Sequence, residues 1–355
     1  MHHFASDNYA EVHPEIFEAL AKANQGHASA YGSDEHTADA LRKFKETFGE
    51  DSETFFVFNG TAANVLSLKA LSESYHSIIC TDVAHVQSDE CGAPEKFLGC
   101  KLIALPSSDG KLTIETLKKF WETGLAQSGE QHHSQARVIT ITQSTEFGTV
   151  YSREEIARIS EFAKAHSLYL HMVGSRISNA AASLDCTFKE LTADLGVDVL
   201  SFGGTKNGLL YGEAVVFLKK NLARDFQYIR KQGMQLASKM RFISAQFEVL
   251  LSGMPGQELW RINARHANAM AKKLESALAG LAEVKISRPA QANAVFATLP
   301  RNVISELQKI FSFYIWGSAQ EATRAEVRWM ASFNTTAEDV EAFVEALKTL
   351  LTKVK

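Results

Sequence analysis

The sequence predicts an α/β fold in which a mainly parallel seven-stranded sheet is covered by helices, with a smaller α+β domain at the C-terminal end. Three observations support this fold class. Seven short runs rich in apolar or β-branched residues recur through the first two-thirds of the 355-residue chain. Stretches with helical spacing of apolar residues separate most of these runs, as is typical of parallel strands joined by helices. After a glycine-rich break, a shorter mixture of helices and strands follows.

The seven predicted strands are residues 55–58, 77–80, 101–105, 137–142, 168–172, 197–202 and 214–218. The predicted helices between them include residues 62–71, 113–122, 153–165 and 188–191. The last strand follows a turn region at residues 208–212 and is the one that could pair antiparallel.

Residues 221–251 carry no strand signal and are expected to form a long helix. The segment Gly253-Met254-Pro255-Gly256 breaks the helical pattern. We therefore place a domain boundary there, which gives a large domain of residues 1–252 and a small α+β domain of residues 253–355.

The small domain is predicted to contain a helix at 259–278, strands at 284–287 and 294–298, a helix at 303–310, a strand at 326–330 and a last helix at 336–351. Thr335 or Thr336 is the expected N-cap of the last helix. Glu338 and Asp339 then lie in its first turn, where acidic side chains interact favourably with the helix dipole.

Composition excludes several classes of protein. The chain has 37 Lys and Arg against 41 Asp and Glu, a formal charge of −4, so we expect no nucleic-acid partner. It has no apolar run of membrane-spanning length and no basic-then-apolar start, so we expect no membrane association and a cytoplasmic location. The four cysteines, Cys80, Cys91, Cys100 and Cys186, lack CxxC spacing and are expected to be free thiols, with no metal site.

Unusual residues follow four of the predicted strands, where ligands bind in open parallel sheets. Gly60, Thr61 and Ala62 begin a helix whose free N–H groups could hold a phosphate; the alternative is a glycine turn with a threonine cap. Lys206 lies in Gly203-Gly204-Thr205-Lys206-Asn207-Gly208. A desolvated lysine there can form a Schiff base, whereas a solvated loop lysine is the structural alternative.

Two further strand ends carry a cation and a ring. Arg176 follows the strand at 168–172 and could bind a substrate carboxylate or form a structural ion pair. His85 lies among apolar neighbours after the strand at 77–80, where its ring could stack on an aromatic cofactor or simply pack.

Taken together, these motifs resemble the threonine aldolase and β-eliminating lyase family of aspartate aminotransferase-like (fold type I) pyridoxal phosphate enzymes. The resemblance runs over nearly the whole chain. It is carried by Phe4-Ala5-Ser6-Asp7-Asn8, Tyr31-Gly32-Ser33-Asp34, Asn59-Gly60-Thr61-Ala62-Ala63-Asn64, Ala84-His85, Gly110-Lys111-Leu112-Thr113, His171-Met172-Val173-Gly174-Ser175-Arg176, the Lys206 segment, and Val327-Arg328.

The resemblance implies roles for individual residues. It makes Lys206 the Schiff-base lysine and His85 the ring stacked on the pyridoxal 5'-phosphate. It makes Ser6, Arg176 and Arg328 the residues that bind the substrate carboxylate. The residues expected against the cofactor are Gly60, Thr61, Ala62, His85, Val173, Arg176 and Lys206. A homodimer or homotetramer is also implied.

The reaction implied by the resemblance is cleavage of the Cα–Cβ bond of L-threonine, L-allo-threonine or related β-hydroxy-α-amino acids to glycine and an aldehyde. The cofactor supplies the electron sink, and a base such as His85 deprotonates the β-hydroxyl. Two alternatives remain at this point. One is β-elimination or transamination on the same fold. The other is a weakened, largely binding-only variant.

The weakened variant is suggested by a departure from the family pattern. The family has an aspartate, which pairs with the pyridine nitrogen, where this chain has Val173. An apolar residue there should leave the nitrogen neutral and weaken the electron sink. Glu146, in Gln143-Ser144-Thr145-Glu146, replaces the second active-site histidine of many members, and a carboxylate at that position can act as a base or position a water.

Overall fold

A seven-stranded sheet forms the centre of the larger part of the computed structural model, which describes residues 3–125, 129–317 and 323–353. Its strands are β1 (Glu53–Val57), β2 (His76–Thr81), β3 (Lys101–Leu105), β4 (Gln135–Thr142), β5 (Tyr169–Gly174), β6 (Val199–Gly203) and β7 (Glu213–Phe217). Their order is β1-β7-β6-β5-β4-β2-β3. Only β7 runs against its neighbours, β1 and β6. The predicted mixed sheet is therefore confirmed, including the antiparallel last strand.

Helices cover both faces of this sheet. They are α1 (Pro14–Ala23), α2 (Glu35–Phe48), α3 (Gly60–Leu71), α4 (His85–Ser88), α5 (Ala93–Leu98), α6 (Ile114–Glu122), α7 (Arg153–Ala165), α8 (Ile177–Ser183), α9 (Phe188–Leu191), α10 (Phe226–Gln232) and α11 (Arg241–Leu250). Within the described ranges, no helix is long and apolar enough to cross a bilayer.

The expected long helix at residues 221–251 is wrong, because the chain forms two helices, α10 and α11, with an irregular segment between them. Gly233 follows α10 and packs so closely on α3 that a Cβ atom would lie 2.6 Å from Leu66 Cδ2. Met234 then takes a positive φ of 61°, which no α-helix accommodates. The break follows from tertiary packing, and no proline marks it in the sequence.

The C-terminal part of the chain forms a four-stranded antiparallel sheet in the order β10-β11-β9-β8. Its elements are β8 (Lys285–Arg288), β9 (Ala294–Pro300), β10 (Tyr314–Ile315) and β11 (Arg324–Met330), with α12 (Leu259–Leu278), α13 (Arg301–Leu307) and α14 (Ala337–Lys353). The two-residue strand β10 is not predicted from sequence. The expected cap is present, since Thr336 Oγ1 accepts the Asp339 N–H at 3.1 Å.

The N-terminal segment is anchored on this smaller sheet. Phe4 is fully buried, and its ring centroid lies 4.8 Å from that of Phe343 on α14. Its N–H donates to the carbonyl of Ser312, and its own carbonyl accepts the Met330 N–H. The residues that follow, Ser6 and Asp7, are thereby held between the two sheets.

Candidate active site

Lys206 lies in a single 3₁₀ turn, Thr205–Asn207, directly after β6. A Cβ atom at Gly203 would lie 2.6 Å from the backbone of Ser175, so the glycine lets the loop after β5 pass against the end of β6. The turn is held from β7, where Glu213 Oε2 accepts the Gly204 N–H at 2.8 Å. These contacts fix the position of Lys206 at the carboxyl end of the parallel strands.

The Lys206 amine has no hydrogen bond or ion pair to any residue that the structure describes. Burial and the positive charge of Arg176 lower the pKa of Lys206, although the charge of Asp7 partly opposes the effect. A lowered pKa increases the fraction of neutral amine, which is the nucleophilic form. Lys206 is therefore both unengaged and chemically activated.

Arg176 follows β5 and pairs with Asp7 in the N-terminal segment. Its Nε donates to Asp7 Oδ2 at 2.7 Å and its Nη2 to Oδ1 at 2.8 Å, a bidentate arrangement. Nη2 also lies 3.4 Å from Met330 Sδ. The remaining group, Nη1, has no protein partner within the described ranges.

Asp7 is the acid that connects the parts of the site. It is 2% exposed, and Asn293 Nδ2 donates to its Oδ2 at 3.0 Å. Burial alone would raise the pKa of Asp7, but the charge of Arg176 and its hydrogen bonds hold that pKa at about 2. An ionised Asp7 therefore joins β5, the N-terminal segment and the smaller sheet.

Arg328, on β11, lies near Arg176 and Asp7. The space between these side chains is called the cleft below. The Arg328 guanidinium lies over the Trp316 ring, 4.3 Å from the centroid, and its Nη2 is 3.4 Å from the carbonyl of Ala5. The buried Nε has no hydrogen-bond partner among the residues that the structure describes. Burial and the like charge of Arg176 lower the pKa of Arg328 to about 10. An anion between the two guanidinium groups would relieve this repulsion.

Ser6 lies beside these cations as the N-cap of a short 3₁₀ turn. Its Oγ accepts the Asn8 N–H at 3.2 Å and lies 3.4 Å from Asp7 Oδ1. The structure thus brings together the three residues expected to bind a carboxylate, and it adds Asp7 to them.

The start of α3 offers hydrogen-bond donors on the other side of the loop that follows β5. Asn59 caps this helix through its Oδ1, which accepts the Ala62 N–H at 2.9 Å. The Gly60 and Thr61 N–H groups have no acceptor within the helix, because they belong to its first turn. Ser175 Oγ lies near Gly60, 3.7 Å from where a Cβ atom would be. These groups could bind a phosphate, whereas the Ala62 N–H is already used by the cap.

His85 begins α4 and is held by two acids. Its backbone N–H donates to Glu146 Oε1 at 2.7 Å, and Thr142 Oγ1 donates to the same oxygen at 2.9 Å. Its ring Nδ1 lies 2.7 Å from Glu90 Oε1. Burial raises the pKa of Glu146, and its Oε2 is buried with no hydrogen-bond partner in the described part of the chain.

Val173 is 2% exposed near the end of β5 and belongs to the apolar cluster between the sheet and α3. His171, on the same face of the strand, bridges Thr140 Oγ1 at 2.8 Å and Ser201 Oγ at 2.9 Å. Burial lowers the pKa of His171 to about 3, so its ring is neutral. The face of β5 that carries Val173 therefore contains no ionised side chain.

Sequence reasoning missed three acids of this site, Asp7, Glu90 and Glu213. Asp7 is part of the motif Phe4-Ala5-Ser6-Asp7-Asn8, but its partner Arg176 is 169 residues away. Glu90 follows His85 by five residues, a local signal that could have been noticed. Burial raises the pKa of Glu213 to about 7, and its sequence signal is a charge at the start of an apolar strand.

The sequence profile of the β-eliminating lyases matches residues 3–301. The chain belongs to the β-eliminating lyase family. It is 46% identical over 334 residues to the low specificity L-threonine aldolase of Pseudomonas sp. (strain NCIMB 10558), covering 94% of this chain and 93% of that one. Identity to the low specificity L-threonine aldolase of Pseudomonas aeruginosa is 43% over 353 residues, or 98% and 97% of the two chains.

A solved structure of the Leishmania major threonine aldolase superposes on this β-eliminating lyase with a TM-score of 0.90 at 29% identity. The match covers 98% of this chain and 99% of that one. The expected aspartate aminotransferase-like fold and the family resemblance are thereby confirmed. Among the described residues of the lyase, no cluster of three or more His, Cys, Asp or Glu side chains could hold a metal ion.

The Asp7–Arg176 pair predicts a specific pH dependence of stability. Because Asp7 has a lower pKa in the folded lyase than when unfolded, its contribution is fully present above about pH 4 and is lost as the pH falls toward 2. The difference from its ordinary pKa of 3.8 corresponds to about 2 kcal/mol. Asp7→Asn should therefore reduce the unfolding free energy at pH 7 and flatten its fall between pH 4 and 2.

Urea unfolding at a series of pH values measures this difference. Asp51→Asn, an exposed aspartate paired with Lys220, is the control and should follow the parent curve. Parallel curves for the parent and Asp7→Asn would contradict the assignment of Asp7 as the titrating group.

Proposed function

We propose that this enzyme is a pyridoxal phosphate-dependent aldolase that cleaves L-threonine, L-allo-threonine or related β-hydroxy-α-amino acids to glycine and an aldehyde. The observation that carries the proposal is the unengaged Lys206 amine beside two arginines with unused donors, Arg176 and Arg328. Threonine aldolases at 43% and 46% identity over nearly the whole chain support the reaction class.

The residues present fit pyridoxal phosphate at three points. Lys206 offers a free amine, the Gly60 and Thr61 N–H groups offer an anion site at a helix N-terminus, and the His85 ring offers a surface for stacking. Val173 provides no acid for a pyridine nitrogen. The cofactor would supply the electron sink for breaking the Cα–Cβ bond.

The protein side chains bind and orient the amino acid. Arg176 Nη1, Arg328 and the Ser6 hydroxyl hold its carboxylate, with Asp7 fixing the direction of the Arg176 guanidinium. His85, on the acidic side of the cleft, accepts the proton of the β-hydroxyl. Glu146 holds His85 in place by accepting a hydrogen bond from the His85 backbone N–H.

A direct assay tests the proposal. The purified protein, saturated with pyridoxal phosphate, should convert L-threonine to glycine and acetaldehyde, and Lys206→Ala should abolish turnover. Pyruvate plus ammonia would instead indicate β-elimination, and amino transfer to an oxoacid would indicate transamination. Cofactor binding without any of these products would identify the binding-only variant.

Arg328 allows a clean test of carboxylate binding, because its hydrogen-bond partner in the protein is a backbone carbonyl. Losing a charge-assisted hydrogen bond costs about 1.5 to 3 kcal/mol, so Arg328→Ala should lower kcat/KM roughly 10- to 100-fold. Arg176→Ala should lower kcat/KM by as much and should also destabilise the fold, since it leaves Asp7 buried without a counter-ion.

Arg324→Ala is the matched control, because Arg324 lies on β11 but pairs with Glu283 outside the cleft. The measurement is the steady-state kcat/KM of Arg328→Ala, Arg176→Ala and Arg324→Ala. A change at Arg328 that leaves kcat/KM within about twofold of the parent would remove that arginine from the substrate site.

Val173 would weaken the electron sink that the bound cofactor supplies. If its side chain faces the pyridine ring, the nitrogen there is neutral, because a charge would have no partner and little water. Val173→Asp should therefore raise kcat for aldol cleavage, and Lys206 should bind the cofactor in both proteins. Each pKa unit of added stabilisation is worth about 1.4 kcal/mol.

Val173→Asn is the control, since it has the shape of aspartate without the charge and should not raise kcat. Rates are measured with saturating cofactor. An Asp variant no faster than the parent would mean that Val173 is away from the nitrogen or that the enzyme operates with a neutral one.

The partner expected at the surface is a second copy of the chain. Phe17, Leu210 and Tyr211 are 64%, 47% and 37% exposed and line one groove beside Phe58 and Phe242. Leu210 follows Lys206 by four residues, so a copy on this groove would lie near the cleft. We place this dimer or tetramer in the cytoplasm, in keeping with four free thiols.

Light scattering should give a mass of at least two chains for the parent. Leu210→Arg should shift the mass toward one chain, because it buries a charge in the contact. Phe97→Arg, at an exposed phenylalanine on α5, should leave the mass unchanged. An active parent monomer would refute the proposal.

A further inference from the structure

Glu90 and Asn64 form a buried polar unit behind the His85 ring. Glu90 follows α4, and its side chain is completely buried. Its Oε1 lies 2.7 Å from His85 Nδ1 and accepts a hydrogen bond from Asn64 Nδ2, also at 2.7 Å. Asn64 is itself 1% exposed on α3. Side chains from α3 and α4 therefore converge on one carboxylate oxygen.

The arrangement determines which ring nitrogen of His85 carries the proton. An ionised carboxylate only accepts hydrogen bonds, so Nδ1 must be the donor in the contact with Glu90. In a neutral ring, Nε2 then has a free lone pair. Nε2 has no hydrogen-bond partner among the described residues, and the side chain is 38% exposed.

We propose that Glu90 is a positioning residue that holds His85 in the Nδ1–H tautomer, so that Nε2 accepts the proton of the substrate's β-hydroxyl. The same carboxylate stabilises the positively charged ring once the proton has arrived. Asn64 keeps Glu90 Oε1 directed at His85. The inference rests on the proposed aldolase function and assigns the residue that orients its general base.

The geometry favours His85 over Glu146 as that base. Glu146 Oε1 already accepts two hydrogen bonds, from the His85 N–H and from Thr142 Oγ1. Its other oxygen, Oε2, is buried and has no hydrogen-bond partner within the described ranges. The second oxygen of Glu90 is likewise buried. The ring edge of His85 is thus the exposed member of this group of three titratable side chains.

The proton transfer balances without another reactant. The O–H bond of the β-hydroxyl breaks and an N–H bond forms at His85 Nε2, while the oxygen's electron pair forms the aldehyde carbonyl as the Cα–Cβ bond breaks. The cofactor, which Lys206 and the start of α3 would hold, would supply the electron sink for the pair of that bond, and a proton from solvent at Cα completes glycine. The ring returns its proton to water.

The test compares Glu90→Gln with the parent holoenzyme. The variant keeps the size of the side chain and removes its charge, so kcat for glycine formation should fall roughly 100-fold, the lower end of what a positioned general base contributes. KM for L-threonine should stay within about twofold, because Glu90 does not touch the carboxylate site. Glu95→Gln, at an exposed glutamate on the next helix, is the matched control and should behave like the parent.

A second readout does not depend on turnover. In ¹⁵N-histidine-labelled holoenzyme, with the His85 signals assigned by comparison with His85→Asn, the parent should show the Nδ1–H tautomer. The population should shift toward Nε2–H in Glu90→Gln and less so in Glu90→Asp, which retains the charge and also serves if the Gln variant does not fold. An unchanged tautomer, or a kcat within twofold of the parent, would overturn the proposal.

The aldolase function and the positioning role of Glu90 are refuted by different results. A parent enzyme that forms no glycine and aldehyde refutes the aldolase function. A parent that forms them while Glu90→Gln is equally fast refutes only the role of Glu90.

Discussion

The buried pair between Asp7 and Arg176 is the interaction on which the candidate site depends. It joins the loop after β5 to the N-terminal segment, and Asn293 connects the same carboxylate to the smaller sheet. Both charges are removed from most of the solvent, so each requires the other, and losing one partner leaves an uncompensated buried charge. The pair therefore fixes the relative positions of elements that are far apart in sequence.

This constraint gives the cleft two sides of different character. One side is cationic, because Asp7 neutralises only part of the charge contributed by Arg176, Arg328 and Lys206. The other side carries His85 between Glu90 and Glu146. A β-hydroxy-α-amino acid has a carboxylate at one end and a hydroxyl at the other. The cleft is thus complementary to such a molecule, and in the proposed function its cationic side binds the carboxylate while His85 accepts the hydroxyl proton.

Much of the fold could be predicted from local sequence. The strands and the crossover helices follow from apolar periodicity, and the long helix Leu259–Leu278 has the predicted bounds. The interruption after α10 could not be predicted in this way, because it depends on how closely Gly233 packs on Leu66. Strand β10 is too short to carry a periodic signal.

The candidate site was predictable to the extent that residues follow strand ends or match family motifs. Lys206, His85, Arg176 and Arg328 were found by these signals. Of the acids around them, Glu146 was found in this way, but Asp7, Glu90 and Glu213 were not, because a carboxylate reveals its partner only when the chain folds. Asp7 and Asn293, for example, are 286 residues apart. Long-range pairing of this kind leaves no periodic pattern in a single sequence.

A double-mutant cycle on Asp7 and Arg176 measures whether the two residues stabilise the fold as a pair. The free energy of unfolding at pH 7 is measured for the parent, Asp7→Asn, Arg176→Gln and the double variant. Each single variant should be strongly destabilised, and the double variant should be more stable than the sum of the single effects by at least about 1 kcal/mol, since groups in contact couple. Effects that add to within about 0.3 kcal/mol would show that the two residues act independently and that the cleft does not depend on their pairing.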